Sequence, residues 1–213
     1  MTTLISARNL SIGEVHQILG YQREYNDSFT SILSLENLTD FEEQEVGQIQ
    51  DDFDNYLSES TVGEGQIKLL VVAPLLRLAG FYRYPIKITL EEGIAEILIE
   101  DEDTKITGRL DILAVNKQRQ TTDKTSFWVL VIEAKNSGLA PSAGLPQLLT
   151  YAYQSLEHQD SVWGLTTNGS LYQFVHIQGG KNNPTYQLMP FLNFMERLDS
   201  RLILQVFKAI CQL

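Results

Sequence analysis

The run from Trp128 to Ile132, WVLVI, constrains this chain more than any other stretch. It is short, apolar on both faces and rich in β-branched residues, which predicts a buried central strand. It leads straight into Glu133, Ala134 and Lys135. Residues two apart on a strand share a face, so Glu133 and Lys135 point one way and Ala134 the other. A carboxylate and an ammonium at the end of a buried strand are costly to desolvate unless paired or bound to something. From this stretch alone, a structural ion pair and a binding site both stand open.

A second acidic strand narrows the choice. Ile106 to Asn116 reads ITGRLDILAVN, an apolar strand with one carboxylate, Asp111, at its centre. Asp is depleted in strands and is rarely buried unless paired. If the two strands are neighbours, Asp111, Glu133 and Lys135 come together. Two carboxylates make a site for a hard cation, which takes oxygen ligands and leaves room for phosphate oxygens. The ammonium can hold a water or steady developing charge.

Asp111 followed by Glu133-Ala134-Lys135 resembles the core of the PD-(D/E)XK nuclease superfamily. More closely, the chain resembles the amino-terminal nuclease domain of type I restriction enzyme R subunits and its stand-alone relatives. Gln147-Leu-Leu-Thr-Tyr151 matches the Q-x-x-x-Y motif that follows the core in that group. Glu64, in EGQIKLLVVAPLLRLAGF, stands where the family has an acid on its first core helix. Thr167-Asn168-Gly169 resembles a turn after the next strand, although Asn-Gly between two strands is also a plain hairpin signal. The resemblance spans about residues 60 to 190, and Leu110 stands where the family's motif has proline.

The resemblance implies a mixed α/β fold, a restriction-endonuclease-like core with a central mixed β-sheet flanked by helices. It implies a metal-dependent endonuclease acting on DNA. Asp111 and Glu133 would bind Mg²⁺, with Mn²⁺ as a substitute and Glu64 as a third ligand. Lys135 and Gln147 would act in catalysis, with Tyr151 supporting Gln147 from behind. Partners would be DNA and the proteins of a restriction-like system, and a homodimer is compatible with it. A catalytically silent DNA-binding or assembly module with the same fold is the alternative. Each residue also has a plainer reading: Glu64 as a helix-start charge, Gln147 and Tyr151 as a polar pair on one helix face.

The rest of the chain predicts the frame. Residues 1–60 form an acidic helical extension and residues 61–213 the nuclease domain. Helices are expected over Ile12–Leu19, Leu38–Leu57 with Phe41, Val46, Ile49, Phe53 and Leu57 as its apolar stripe, Thr61–Gly80 capped by Ser60 or Thr61, Leu145–His158, and Leu192–Gln212 with Leu198 among its inward residues, while Lys117–Thr125 reads as a polar loop. Pro74 implies a kink in the third of these, or a later start. Tyr84–Leu90, Ile94–Glu100 and Lys105–Asn116 read as an antiparallel meander, and Ser161–Thr166 with Leu171–Ile177 as a hairpin. Tyr186–Met189 reads as an edge strand.

Charge bears on the function. The net charge of −11 sits badly with a polyanionic substrate. Its distribution softens the objection. Leu35–Ser60 holds nine acids and Glu91–Asp103 seven, with no Lys or Arg in either, which leaves eleven acids against sixteen bases elsewhere. The single cysteine, Cys211, precludes a disulfide within the chain and suits a reducing cytoplasm. No apolar run approaches a membrane span, and no phosphate-binding G-x-x-x-x-G-K-[ST] loop of an ATP motor appears.

Overall fold

The computed structural model describes residues 3–25, 28–93, 97–99, 104–121, 125–180 and 183–213. Strand β1 (Thr3–Ser6), helix α1 (Ile12–Leu19) and strand β2 (Gln22–Tyr25) open the chain. The acidic helix α2 (Asp40–Glu59) follows. Next is a composite helix: α3 (Glu64–Ile67), a π turn (Lys68–Val72) and α4 (Ala73–Ala79). Strands β3 (Ile86–Gly93), β4 (Ile97–Ile99), β5 (Thr104–Thr107), β6 (Arg109–Gln120) and β7 (Ser126–Ala134) come next. Helix α5 (Leu145–Leu156) leads to β8 (Ser161–Thr167), β9 (Leu171–Gln178), β10 (Thr185–Leu188) and β11 (Leu192–Asn193). Helix α6 (Arg197–Cys211) closes the fold.

Eight strands form one mixed sheet in the order β2-β10-β9-β8-β7-β6-β3, with β11 paired to β9. The pairs β7–β8 and β2–β10 are parallel, and the other neighbours are antiparallel. Helix α5 is the crossover that a parallel neighbour requires. Helices cover both faces. Phe53 of α2, Leu75 of α4 and Phe207 of α6 pack on one side, and Val15 of α1 and Leu148 of α5 on the other. In β7, Leu130 and Ile132 face the first core and Val131 the second, which is why that run is apolar throughout. This is the mixed, helix-flanked sheet expected from the sequence.

Pro74 decides the shape of the composite helix. A proline ring clashes with the carbonyl four residues back and offers no N–H. The chain answers one residue earlier: the Ala73 N–H donates to the Lys68 carbonyl, five residues away, and the ladder widens into a π turn. The helix starts at Glu64, with Gly63 rather than Ser60 or Thr61 as its cap and the Gln66 side chain accepting from the Gly63 N–H. Gly80, with φ of 99°, ends it.

The expected meander is split between two sheets: its second and third strands pair antiparallel as β4 and β5, but its first strand does not join the second. Strand β3 pairs with β6, while β4 and β5 join β1 in a separate three-stranded sheet. Residues 94–96 and 100 of the expected middle strand, and residues 101–103 of the acidic turn, lie outside the described residues. Strand β10 is not an edge, because β2 pairs beyond it. Strand β6 runs to Gln120 through part of the predicted loop. Helix α6 begins at Arg197, so Leu198 falls on its first turn and is 80% exposed rather than inward.

Helix α2 buries Val46, Ile49 and Phe53. Phe41, read as part of that stripe, is exposed near the helix start. Two of its acids meet bases of α6: Glu42 lies 2.6 Å from Lys208, and Glu43 pairs with Arg201. Among the described residues no helix is long and apolar enough to cross a membrane.

Candidate active site

The ladder between β6 and β7 runs out at the pair Ile112–Ile132. One step further the register sets Asp111 opposite Glu133, and a side chain takes over from the backbone. Asp111 Oδ2 accepts from the Ala134 N–H at 2.8 Å. Asp111 is 5% exposed and Glu133 2%. Two carboxylates are thus buried side by side at the carboxyl end of β7, where its parallel neighbour β8 also ends.

A chain of hydrogen bonds runs from Glu133 into α5. Lys135 Nζ donates to Glu133 Oε1 at 2.7 Å and to Gln147 Oε1 at 2.6 Å. Gln147 Nε2 donates to the Tyr151 hydroxyl at 3.2 Å. Gln147 and Tyr151 share a helix face, as their spacing predicts, and both are buried. Both ends of the Gln147 amide are therefore spent inside the protein, and its direct effect is to fix Lys135. Gly108 makes this possible. A Cβ there would lie 2.4 Å from Tyr151 Cε1, so only glycine lets β6 pass the ring.

Two further residues reach the site that sequence reading missed. Lys68, the first residue of the π turn, places Nζ 3.0 Å from Asp111 Oδ1 and 2.9 Å from Glu91 Oε1. Glu91 lies on β3 between Leu90 and Glu92, whose partners on β6 are Ile112 and Leu110, so it stands opposite Asp111. Its φ of 53° is in the left-handed region, unusual for a non-glycine residue. Burial pulls the Lys68 ammonium down, but its bonds to Glu91 and Asp111 outweigh this and hold its pKa above the ordinary value. The bond from Lys68 lowers Glu91. The signal available was the spacing: Lys68 is four residues after Glu64, on the same helix face.

Glu91, Asp111 and Glu133 thus form a row across three adjacent strands, with Thr166 of β8 as the next member. Burial, then the charge of Asp111, pushes the Glu133 carboxyl up to about 7, against the pull of Lys135. Among the described residues, Glu133 Oε2 and Thr166 Oγ1 are buried without a hydrogen-bond partner. A raised carboxyl pKa favours the folded state while the group is protonated. That contribution is complete below about 4.5 and is lost as pH rises through about 7. At about 1.4 kcal/mol per unit, its ceiling is on the order of 3 kcal/mol. Glu133→Gln is therefore expected to melt higher than wild type at pH 8 and to lose that advantage at pH 5. A difference independent of pH in thermal unfolding would show that ionised Glu133 carries no strain.

Glu64 supplies charge that also raises Glu133. Among the described residues, however, no group of three or more His, Cys, Asp or Glu side chains is placed to hold a metal ion. Glu64 thus acts on Glu133 through its charge. The loop after β7 is tied down. Val62 and Ser137 exchange two hydrogen bonds, and Asn168 Nδ2 donates to the Leu139 carbonyl at 2.8 Å. Asn168 Oδ1 also accepts from the Ser170 and Leu171 N–H groups. Thr167-Asn168-Gly169 is thus a structural turn.

No family model and no curated protein matches the chain. Among solved structures it is similar to a fragment assigned as the HsdR subunit of a type I restriction enzyme from Vibrio vulnificus, at 20% identity with a TM-score of 0.40. The match covers 68% of this chain and 26% of that one, so the chain spans about a quarter of that fragment's length.

Proposed function

We propose that the chain is a divalent-metal-dependent nuclease domain that hydrolyses phosphodiester bonds in DNA, as a restriction-type enzyme does. One observation carries the reading. Asp111 and Glu133 are buried side by side with Lys135 bonded to Glu133, and among the described residues Glu133 Oε2 has no hydrogen-bond partner. Burying like charges together is costly, and a fold without use for them would do better with apolar residues. The donor set fits Mg²⁺ or Mn²⁺: two carboxylates, leaving other positions to water and phosphate oxygens.

Asp111 and Glu133 would hold the ion. Bound there, Mg²⁺ would lower the pKa of a water and neutralise charge on the scissile phosphate. Lys135 has three donors, and two are held by Glu133 and Gln147. The third is left to orient the attacking water or to donate to a phosphate oxygen as charge builds there. The water oxygen bonds to phosphorus and releases a proton to solvent, the bond to the leaving sugar oxygen breaks, and the leaving oxygen takes up a proton from solvent. Gln147 and Tyr151 act behind Lys135 as positioning residues.

The test is calorimetric titration of Mg²⁺ and Mn²⁺ into the chain, followed by nicking of supercoiled plasmid with the same samples. Micromolar-to-millimolar binding and cleavage that EDTA stops are expected. Binding without cleavage would favour the alternative, a catalytically silent DNA-binding or assembly module. Absence of binding would leave Glu133 and Lys135 as a structural ion pair.

A further inference from the structure

Both oxygens of Asp111 are engaged: Oδ2 by the Ala134 N–H, and Oδ1 by the Lys68 ammonium at 3.0 Å. An ammonium therefore sits on the oxygen that a metal ion would need. Lys68 is also bonded to Glu91 at 2.9 Å, on the side away from Glu133. Glu91 is half-exposed, and its left-handed backbone lies opposite Asp111. Lys68, Glu91 and Asp111 together line a cavity of about 670 Å³, with Lys87, Tyr82 and Leu90 on its walls. The neighbouring ion pair is built differently. Lys135 is locked between Glu133 and the buried Gln147, whereas Lys68 hangs from one buried and one half-exposed carboxylate.

We propose that Lys68 is a second cationic group of the site, which holds Asp111 in the metal-free protein and passes to Glu91 when Asp111 takes a divalent cation. This rests on the nuclease reading above and adds a residue and an order of events to it. Moved onto Glu91, Lys68 faces the cavity and becomes a contact for a substrate phosphate beside the scissile one. Glu91 is then a positioning residue: it accepts Lys68 and so lowers the barrier to metal entry.

The test is Mn²⁺ binding by calorimetry to wild type, Lys68→Met, Glu91→Gln and the double variant. An opposite charge within a few ångströms shifts the binding of a competing cation by on the order of tenfold. Lys68→Met is expected to bind Mn²⁺ about tenfold more tightly while cutting plasmid more slowly. Glu91→Gln is expected to bind it severalfold more weakly, because Lys68 stays on Asp111. In the Lys68→Met background, Glu91→Gln should change affinity by less than about twofold, since Glu91 acts through Lys68. Unchanged or weaker binding in Lys68→Met overturns the proposal. So does a Glu91→Gln effect that persists in the double variant, which would make Glu91 a direct contributor to the metal site. Absence of Mn²⁺ binding in wild type would instead overturn the nuclease reading, and this inference with it.

Discussion

Asp111→Asn is expected to reduce plasmid cleavage by on the order of 10³-fold or more, the scale of losing a group that stabilises transition-state charge, with the fold retained. The asparagine oxygen can still accept from the Ala134 N–H, which Asp111 holds at 2.8 Å. What disappears is the charge that would hold the metal. Lys68 keeps Glu91 as a partner, so its ammonium is not stranded. Lys135→Met should cause a loss of similar size by a different route. It removes the donor between Glu133 and Gln147 while leaving both carboxylates in place. The groups act in one step, so the double variant should be little worse than either alone. Retained cleavage in Asp111→Asn or in Lys135→Met, with melting temperatures near wild type, would remove those residues from the chemistry.

The second large effect concerns the frame. Gly169 has φ of +88°, and a Cβ there would lie 2.4 Å from Phe53 Cζ and 3.2 Å from Ile67 Cγ1. Gly169→Ala therefore combines a disfavoured backbone with overpacking, each on the order of 1–3 kcal/mol. Phe53 is fully buried, and Phe53→Ala alone should cost about 3–5 kcal/mol. The two should not add. With the ring gone, Gly169→Ala meets the backbone penalty and only the milder contact with Ile67, and denaturant titration of the four proteins should give a coupling of 1 kcal/mol or more. Strict additivity would mean that α2 does not press on the turn after β8. The prediction matters for the site, because Asn168 in that turn holds the loop that follows β7.

The parts of this arrangement that depend on neighbours in sequence were legible in advance. Period-two spacing put Glu133 and Lys135 on one face, and helical spacing put Gln147 beside Tyr151. The apolar run of β7 announced a strand covered on both sides, and Asp111 stood out as a carboxylate in an apolar strand. Lys68 carried only its spacing from Glu64 as a signal and Glu91 carried none, because their meeting depends on events far apart in the chain. Pro74 must widen the helix, and β3 must skip β4 and β5 to pair with β6. The same skip divides the predicted meander between two sheets, since nothing local distinguishes a strand that pairs with the next from one that waits. Strand β2 escaped notice because all four of its residues are exposed, so it carries no alternation. Leu198 was misplaced by starting α6 five residues early, which rotates the inferred inward face.

The pairing of early elements with late ones also sets the order in which the chain can assemble. Helix α2 shares its core with α6 and hands two acids to Lys208 and Arg201, while β2 pairs with β10. Contacts of such long sequence separation form late, after the entropy of closing large loops has been met. During synthesis, α2 leaves the ribosome well over a hundred residues before its partners do. In that interval it exposes a narrow apolar stripe, Val46, Ile49 and Phe53, on a helix with a strong excess of carboxylates. Mutual repulsion between such helices on neighbouring nascent chains keeps them apart. The acidic charge thus disfavours association of α2 with other copies of itself until α6 arrives.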